Sequence, residues 1–184
     1  MGTAFNRIKT VDSALCVCYK QRIGQHTREE HNMGLDMFFT GKRYLWDFGD
    51  ADQDRIAGVA RLFPEAAGAR INEVSAEFMY WRKANAIHRW FVDTVQEGVD
   101  ECQESSVSIE DLHDLRDICK QVSEDHSLAE KLLPVQSGFF FGSTAYDEYY
   151  FDDVERTLRW LNGFLTKEAL DALKGWDFYY RASW

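Results

Sequence analysis

Two rhythms of apolar and polar positions run along the chain, and each marks a kind of element. After the polar run "QHTREEHN", Met37, Phe39 and Leu45 fall among polar neighbours in a loose alternation, with Gly41 as a turn or bulge. Alternation places apolar side chains on one face of a pleated strand, so residues 34–46 read as strand. Residues 47–56, "DFGDADQDRI", read as loop, and 57–68 as weak helix interrupted by Pro64 and Gly68. The strongest helical rhythm spans residues 71–97 and stops at Gly98. At about 100° per residue, Val74, Phe78, Trp81, Asn85, His88, Val92 and Val95 share one arc, while Arg82, Arg89 and Asp93 point away. Asn85 and His88 are thus polar neighbours inside an apolar stripe.

Ser108 opens a second helix. Its hydroxyl can cap free amides, Glu110 and Asp111 suit the dipole, and Leu112, Leu115, Cys119 and Val122 form one face. A turn, "SLAEKLL", runs to Pro134. Residues 138–142 are an apolar run between glycines, which suits a buried strand. Gly142 then permits a turn, and Ser143 or Thr144 caps a helix from Tyr146 to Asn162, with Asp147 in the capping-box position. Tyr150, Val154, Leu158 and Leu161 supply that helix's apolar face. A short helix, 166–174, ends at Gly175, and "WDFYYRASW" (176–184) alternates as a strand. The predicted fold class is α+β: a small, mainly antiparallel sheet from 34–46, 138–142 and 176–184, packed against several helices. Residues 1–32 show no sustained period and read as a weakly structured N-terminal extension; 33–184 read as a single domain.

Composition narrows the picture. With 184 residues and 45% of them apolar, the chain can bury a core of its own. No apolar run is long enough for a membrane span, and the first twenty residues lack a secretion signal, so a cytoplasmic setting with four reduced cysteines is expected. The net charge of −10 is uneven: residues 100–155 hold 3 basic against 15 acidic side chains. Such a segment repels phosphate backbones, which disfavours direct nucleic-acid binding and favours a basic protein partner. Asp111, Asp114 and Asp117 are its expected docking residues.

Three candidate sites follow. Asn85 and His88, with Trp81, either bond a ligand where helix meets sheet or bond backbone and tyrosine hydroxyls in the core. Tyr80, Arg82, Lys83 and Arg89 with Trp90 can stack a base and pair a phosphate, or form a solvated basic face. The corner "SGFFFGSTAYDEYYFDD" opens a helix, but Asp147, Glu148, Asp152 and Asp153 suit a cation or amine better than an anion. Tyr146, Tyr149 and Tyr150 there are packing or rim. A small-molecule pocket would accordingly draw on Trp81, Arg82, Lys83, Asn85, His88 and Tyr146. Metal is not expected: Cys102, His113, Cys119 and His126 lack ligand spacing, and Cys16-x-Cys18 has no matching pair. No cofactor is implied, and no P-loop, G-x-S-x-G, H-E-x-x-H or dinucleotide fingerprint is present.

Four segments, "MGLDMFF" (33–39), "YWRKANAIHRWFV" (80–92), "LLPVQSGFFFGSTAYDEYYFDD" (132–153) and "WDFYYRASW" (176–184), together resemble a family of small proteins encoded by phages and prophages. In proteins that this chain looks like, "MGLDM" stands first, which agrees with reading residues 1–32 as an extension. The resemblance implies a genomic setting rather than a chemistry. The leading expectation is a non-enzymatic phage accessory protein that acts in the host cytoplasm by binding, with counter-defence through the acidic surface as one form. The alternatives are a binder or sponge for a nucleotide signal with its pocket on the 71–97 segment, and an enzyme with His88 as general base beside Asp147. Self-association is left open, and no membrane partner is expected.

Overall fold

The alternation around Met37 builds the central strand. The computed structural model describes residues 34–184, apart from positions 47, 49 and 67; the expected extension, residues 1–32, lies outside the described residues. Strand β1 (Asp36–Tyr44) buries Met37, Phe39 and Gly41 in strict alternation. Gly41 is required there, because a Cβ would sit 2.5 Å from the Phe78 ring. On one side β1 pairs antiparallel with β2 (Glu73–Arg82), and on the other with β4 (Asp177–Ser183). A three-residue strand, β3 (Ser105–Val107), adds to β4, giving the order β2-β1-β4-β3.

The helices are α1 (Asp50–Leu62), α2 (Asn85–Val95), α3 (Ile109–Glu124), α4 (Ala129–Leu132), α5 (Glu148–Phe164) and α6 (Lys167–Ala172). α3 starts in a capping box: the Ser108 hydroxyl accepts from the Asp111 amide, and the Asp111 carboxylate accepts from the Ser108 amide. It buries Leu112, Leu115, Cys119 and Val122, the face read from the sequence. α5 buries Tyr150, Val154, Thr157, Leu161 and Phe164. Between helices and sheet, aromatic rings interlock. Phe39 stacks on Phe178 with centroids 5.6 Å apart and meets Phe164 and Trp160 edge-on. Phe91 stacks on Tyr180 at 3.9 Å. Offset and edge-on contacts of this kind add to the burial of the rings themselves. Among the described residues no helix is long and apolar enough to cross a membrane.

The fold class is α+β as expected, but four segments differ from the sequence reading. Residues 71–97 are not one helix. They are β2 followed by α2, with Lys83 at φ 60° in the turn between them. The cause is a β-bulge: opposite β1 the register slips between Phe39 and Thr40, so that Phe78 is an extra residue. The slip turns a two-residue step into a three-residue one from Phe78 to Trp81, which imitates helical spacing. The second difference is the expected 138–142 strand, which is a turn in which the Phe141 amide bonds the Gly138 carbonyl. Third, the 47–56 loop is replaced from Asp50 onward by α1. Finally, α5 is capped by Asp147, not by Ser143 or Thr144; its carboxylate accepts from the Tyr149 and Tyr150 amides.

Candidate functional site

The turn at Lys83 sorts the expected site residues into two groups. Trp81 is the last inward residue of β2 and is fully buried. Its indole N–H donates to Thr157 at 2.8 Å, and its ring meets Phe91 and Trp160 edge-on. Asn85, in the first turn of α2, is also buried. Its amide donates to the carbonyls of Phe141 (3.0 Å) and Ser143 (2.8 Å), and its oxygen accepts from the Gln136 amide (3.3 Å). Asn85 thereby does for the 136–143 loop what a neighbouring strand would have done. Tyr146 packs edge-on against Tyr150, and its hydroxyl accepts from the Val135 amide.

His88, one turn further along α2, is sealed. Its Nδ1 lies 2.7 Å from the Tyr180 hydroxyl and its Nε2 3.0 Å from Asp100. A carboxylate only accepts, so Nε2 donates to Asp100 and Nδ1 accepts the phenol proton. Asp100 also accepts from the Trp184 indole (3.1 Å) and from Gln136 (3.4 Å). Burial lowers the His88 pKa below its ordinary 6.5, with Asp100 pulling the other way. Burial also holds the Tyr180 phenol well above its usual value. Both ring nitrogens are engaged inside the core, and Asp147 is not a partner, so the general base expected of His88 with Asp147 has no geometry to support it. Trp81, Asn85, His88 and Tyr146 hold the architecture.

Arg82, the exposed last residue of β2, and Lys83, in the turn itself, make up the other group. They line a cleft of about 490 Å³ together with Ala84–Ile87, Gly142 and the start of α5. Gly142 is needed opposite: its φ is 89°, and a Cβ there would come within 3.2 Å of Lys83 Cβ. The far wall carries Asp147, Asp152 and Asp153, with the exposed ring of Tyr149. One oxygen of Asp147 already accepts from the first amides of α5, so its charge is offset by that helix end. Burial pushes the Asp153 carboxyl up to about 6, opposed by Arg156 and reinforced by Asp152. The residue before α2 is Ala84, which offers no side-chain cap, and the first turn of α2 lines the cleft through Asn85, Ala86 and Ile87. Cations and an uncapped helix start therefore share with carboxylates a space in the usual size range of small-molecule sites.

The expected docking triad on α3 is not uniform. Asp111 is occupied by the capping box, and Asp117 pairs with Arg116 at 2.7 Å. Asp114 is exposed. Among the described residues no three His, Cys, Asp or Glu side chains converge as a metal would need.

The two charged walls were visible as separate features of the sequence. Their apposition was not, because about seventy residues lie between Lys83 and Asp153. No protein-family model matches the chain, and no curated protein or solved structure matches it either.

Proposed function

We propose that the chain is a binding protein whose cleft takes a small amphoteric molecule, with a nucleotide as the type. One observation carries the reading: Arg82, Lys83 and the uncapped start of α2 line the same cleft as Asp152 and Asp153. A helix start flanked by a lysine suits a phosphate. Carboxylates accept from the amino and imino edge of a base, and an exposed tyrosine offers a stacking face. Lys83 supports the reading in another way. A non-glycine residue at positive φ costs about 1–2 kcal/mol, and such strain gathers at functional sites. The engaged nitrogens of His88 favour binding over turnover, and the phage resemblance suits a sponge for a nucleotide signal inside a host cell.

A thermal-shift screen with nucleotides at millimolar concentration tests this. A ligand present at about 100 times its Kd stabilises by about 2.7 kcal/mol, which moves the midpoint by several degrees. Lys83→Gly and Asp152→Asn each remove the shift. A flat response to every nucleotide, with amino acids and polyamines equally inert, overturns the reading.

A second reading is favoured by the exposed acid of α3. Glu110 and Asp114 are free of the capping box, so a basic phage or host protein could dock there, counter-defence being one outcome. Asp114→Lys should then abolish capture of one specific protein from host lysate at low salt. Asp111 is unsuitable for this test, because its reversal breaks the α3 cap.

A further inference from the structure

At the opposite end of β1 from the cleft lies a second cavity, of about 590 Å³. Its floor is Leu45, Val74 and Trp176, and its roof is α1 through Gly58, Val59 and Leu62. α1 buries none of its thirteen residues. A surface helix ordinarily presses an apolar stripe onto the core. Here Ile56 and Val59 reach only half-burial, while Leu62 is 75% and Phe63 52% exposed. Tyr44, Trp46 and Phe48 are exposed along the same connection. Elsewhere the rings interlock, so the space under α1 stands out as an unfilled apolar gap.

The gap is ringed by positive charge. Arg43, Arg55 and Arg61 line it. Arg43 and Arg55 share one carboxylate, Asp52, at 3.7 and 2.7 Å. Among the described residues Arg61 meets no carboxylate; its Nε donates to the Ala57 carbonyl at 3.2 Å. The Arg43 Nη1 donates to the Lys174 carbonyl, while its buried Nε has no hydrogen-bond partner among the described residues. A buried donor left unpaired is costly, so an acceptor brought to Arg43 is favoured. Water answers poorly, because the remaining walls are apolar. In a chain of net charge −10, three guanidinium groups around an apolar gap select for an anion with a greasy body.

We infer that this groove binds a small amphipathic anion, with a carboxylate or phosphate head held by Arg43 and Arg61 and an aliphatic or aromatic body laid against Leu45, Val59, Val74 and Trp176. Binding completes the apolar contact that α1 lacks.

The test uses the full chain with decanoate and dodecyl phosphate below their micelle concentrations, and decanol and acetate as controls. Calorimetry and tryptophan emission, with Trp176 in the wall, report binding. Decanoate or dodecyl phosphate is expected to saturate at one site per chain and to raise the melting midpoint, whichever of the two heads binds tighter naming the natural one. Decanol lacks the charged acceptor and acetate lacks the apolar body, so each should bind at least roughly tenfold more weakly. Arg61→Gln should weaken the anions and leave decanol unchanged. Val59→Trp should fill the groove and abolish binding, while its melting curve shows that it folds. The inference is overturned if decanol matches decanoate, if Val59→Trp binds normally, or if the groove is instead closed by a concentration-dependent dimer that decanoate does not disperse.

Discussion

His88 and Asp153 are both titratable groups pressed into the protein, yet they sit in opposite kinds of place. His88 lies in a sealed network where Tyr180 and Asp100 complete both ring nitrogens. Asp153 lines an open cleft, where burial raises its pKa and Asp152 adds repulsion. The first is a polar group satisfied by its own fold. The second is a polar group that a ligand would satisfy. Satisfaction of hydrogen bonds, more than burial itself, distinguishes His88 from Asp153.

The largest expected effect falls on the sealed side. Trp81→Ala removes a fully buried indole and its bond to Thr157, and should cost about 3–5 kcal/mol in chemical denaturation. A loss below about 1 kcal/mol would erase the distinction between the two regions. Asn85→Ala comes next. It strands three backbone groups of the 136–143 loop, whose outer end can rehydrate, so about 2–3 kcal/mol is expected.

pH then separates the regions by sign. The folded pKa of His88 is lowered, so the unfolded chain binds the extra proton below about 6.5, and acidification through that value destabilises the fold. The folded pKa of Asp153 is raised to about 6, so the folded chain holds the extra proton between about 4 and 6, and stability from this group is lost as pH rises through that window. Melting midpoints recorded from pH 4 to 8 should show His88→Gln flattening the acid loss near 6.5 and Asp153→Asn removing the decline between 4 and 6. Equal profiles for the two variants would count against the comparison.

The smallest effect on stability belongs to the cleft. Lys83→Gly relieves the positive φ but frees the unfolded chain, so the fold should change by less than about 1 kcal/mol. Any nucleotide-induced shift should vanish in the same variant. A residue whose loss costs binding and not stability is the signature of the open side.

Local chemistry made part of this fold legible. The Ser108 cap, the apolar faces of α3 and α5 and the alternation of β4 all depend on residues a few positions apart. The 71–97 helix was misread because a single bulged residue, Phe78, converts strand spacing into helical spacing. The 138–142 turn was misread because two of its carbonyls are satisfied from far along the chain, that of Phe141 by the Asn85 side chain and that of Phe140 by the Leu35 amide, which no local pattern announces. The first half of α1 was read as loop, and its second half only as weak helix, because it buries no stripe for periodicity to reveal. Of the six proposed pocket residues, Arg82, Lys83 and Asn85 line the cleft, and of these only Arg82 was read from the periodicity as pointing away from the core.

The bulged residue has a consequence beyond local spacing. β2 is an outer strand, and a long, flat outer strand invites other chains to add to it through free amides and carbonyls. Here the extra residue increases the twist, Glu73, Glu77 and Arg82 project as charges, and the Arg156 guanidinium occupies the Tyr80 carbonyl at 2.9 Å. The opposite rim, β3, has only three residues to offer. Both margins are thus poor templates for fibril growth, and deleting Phe78 should make concentrated solutions prone to it.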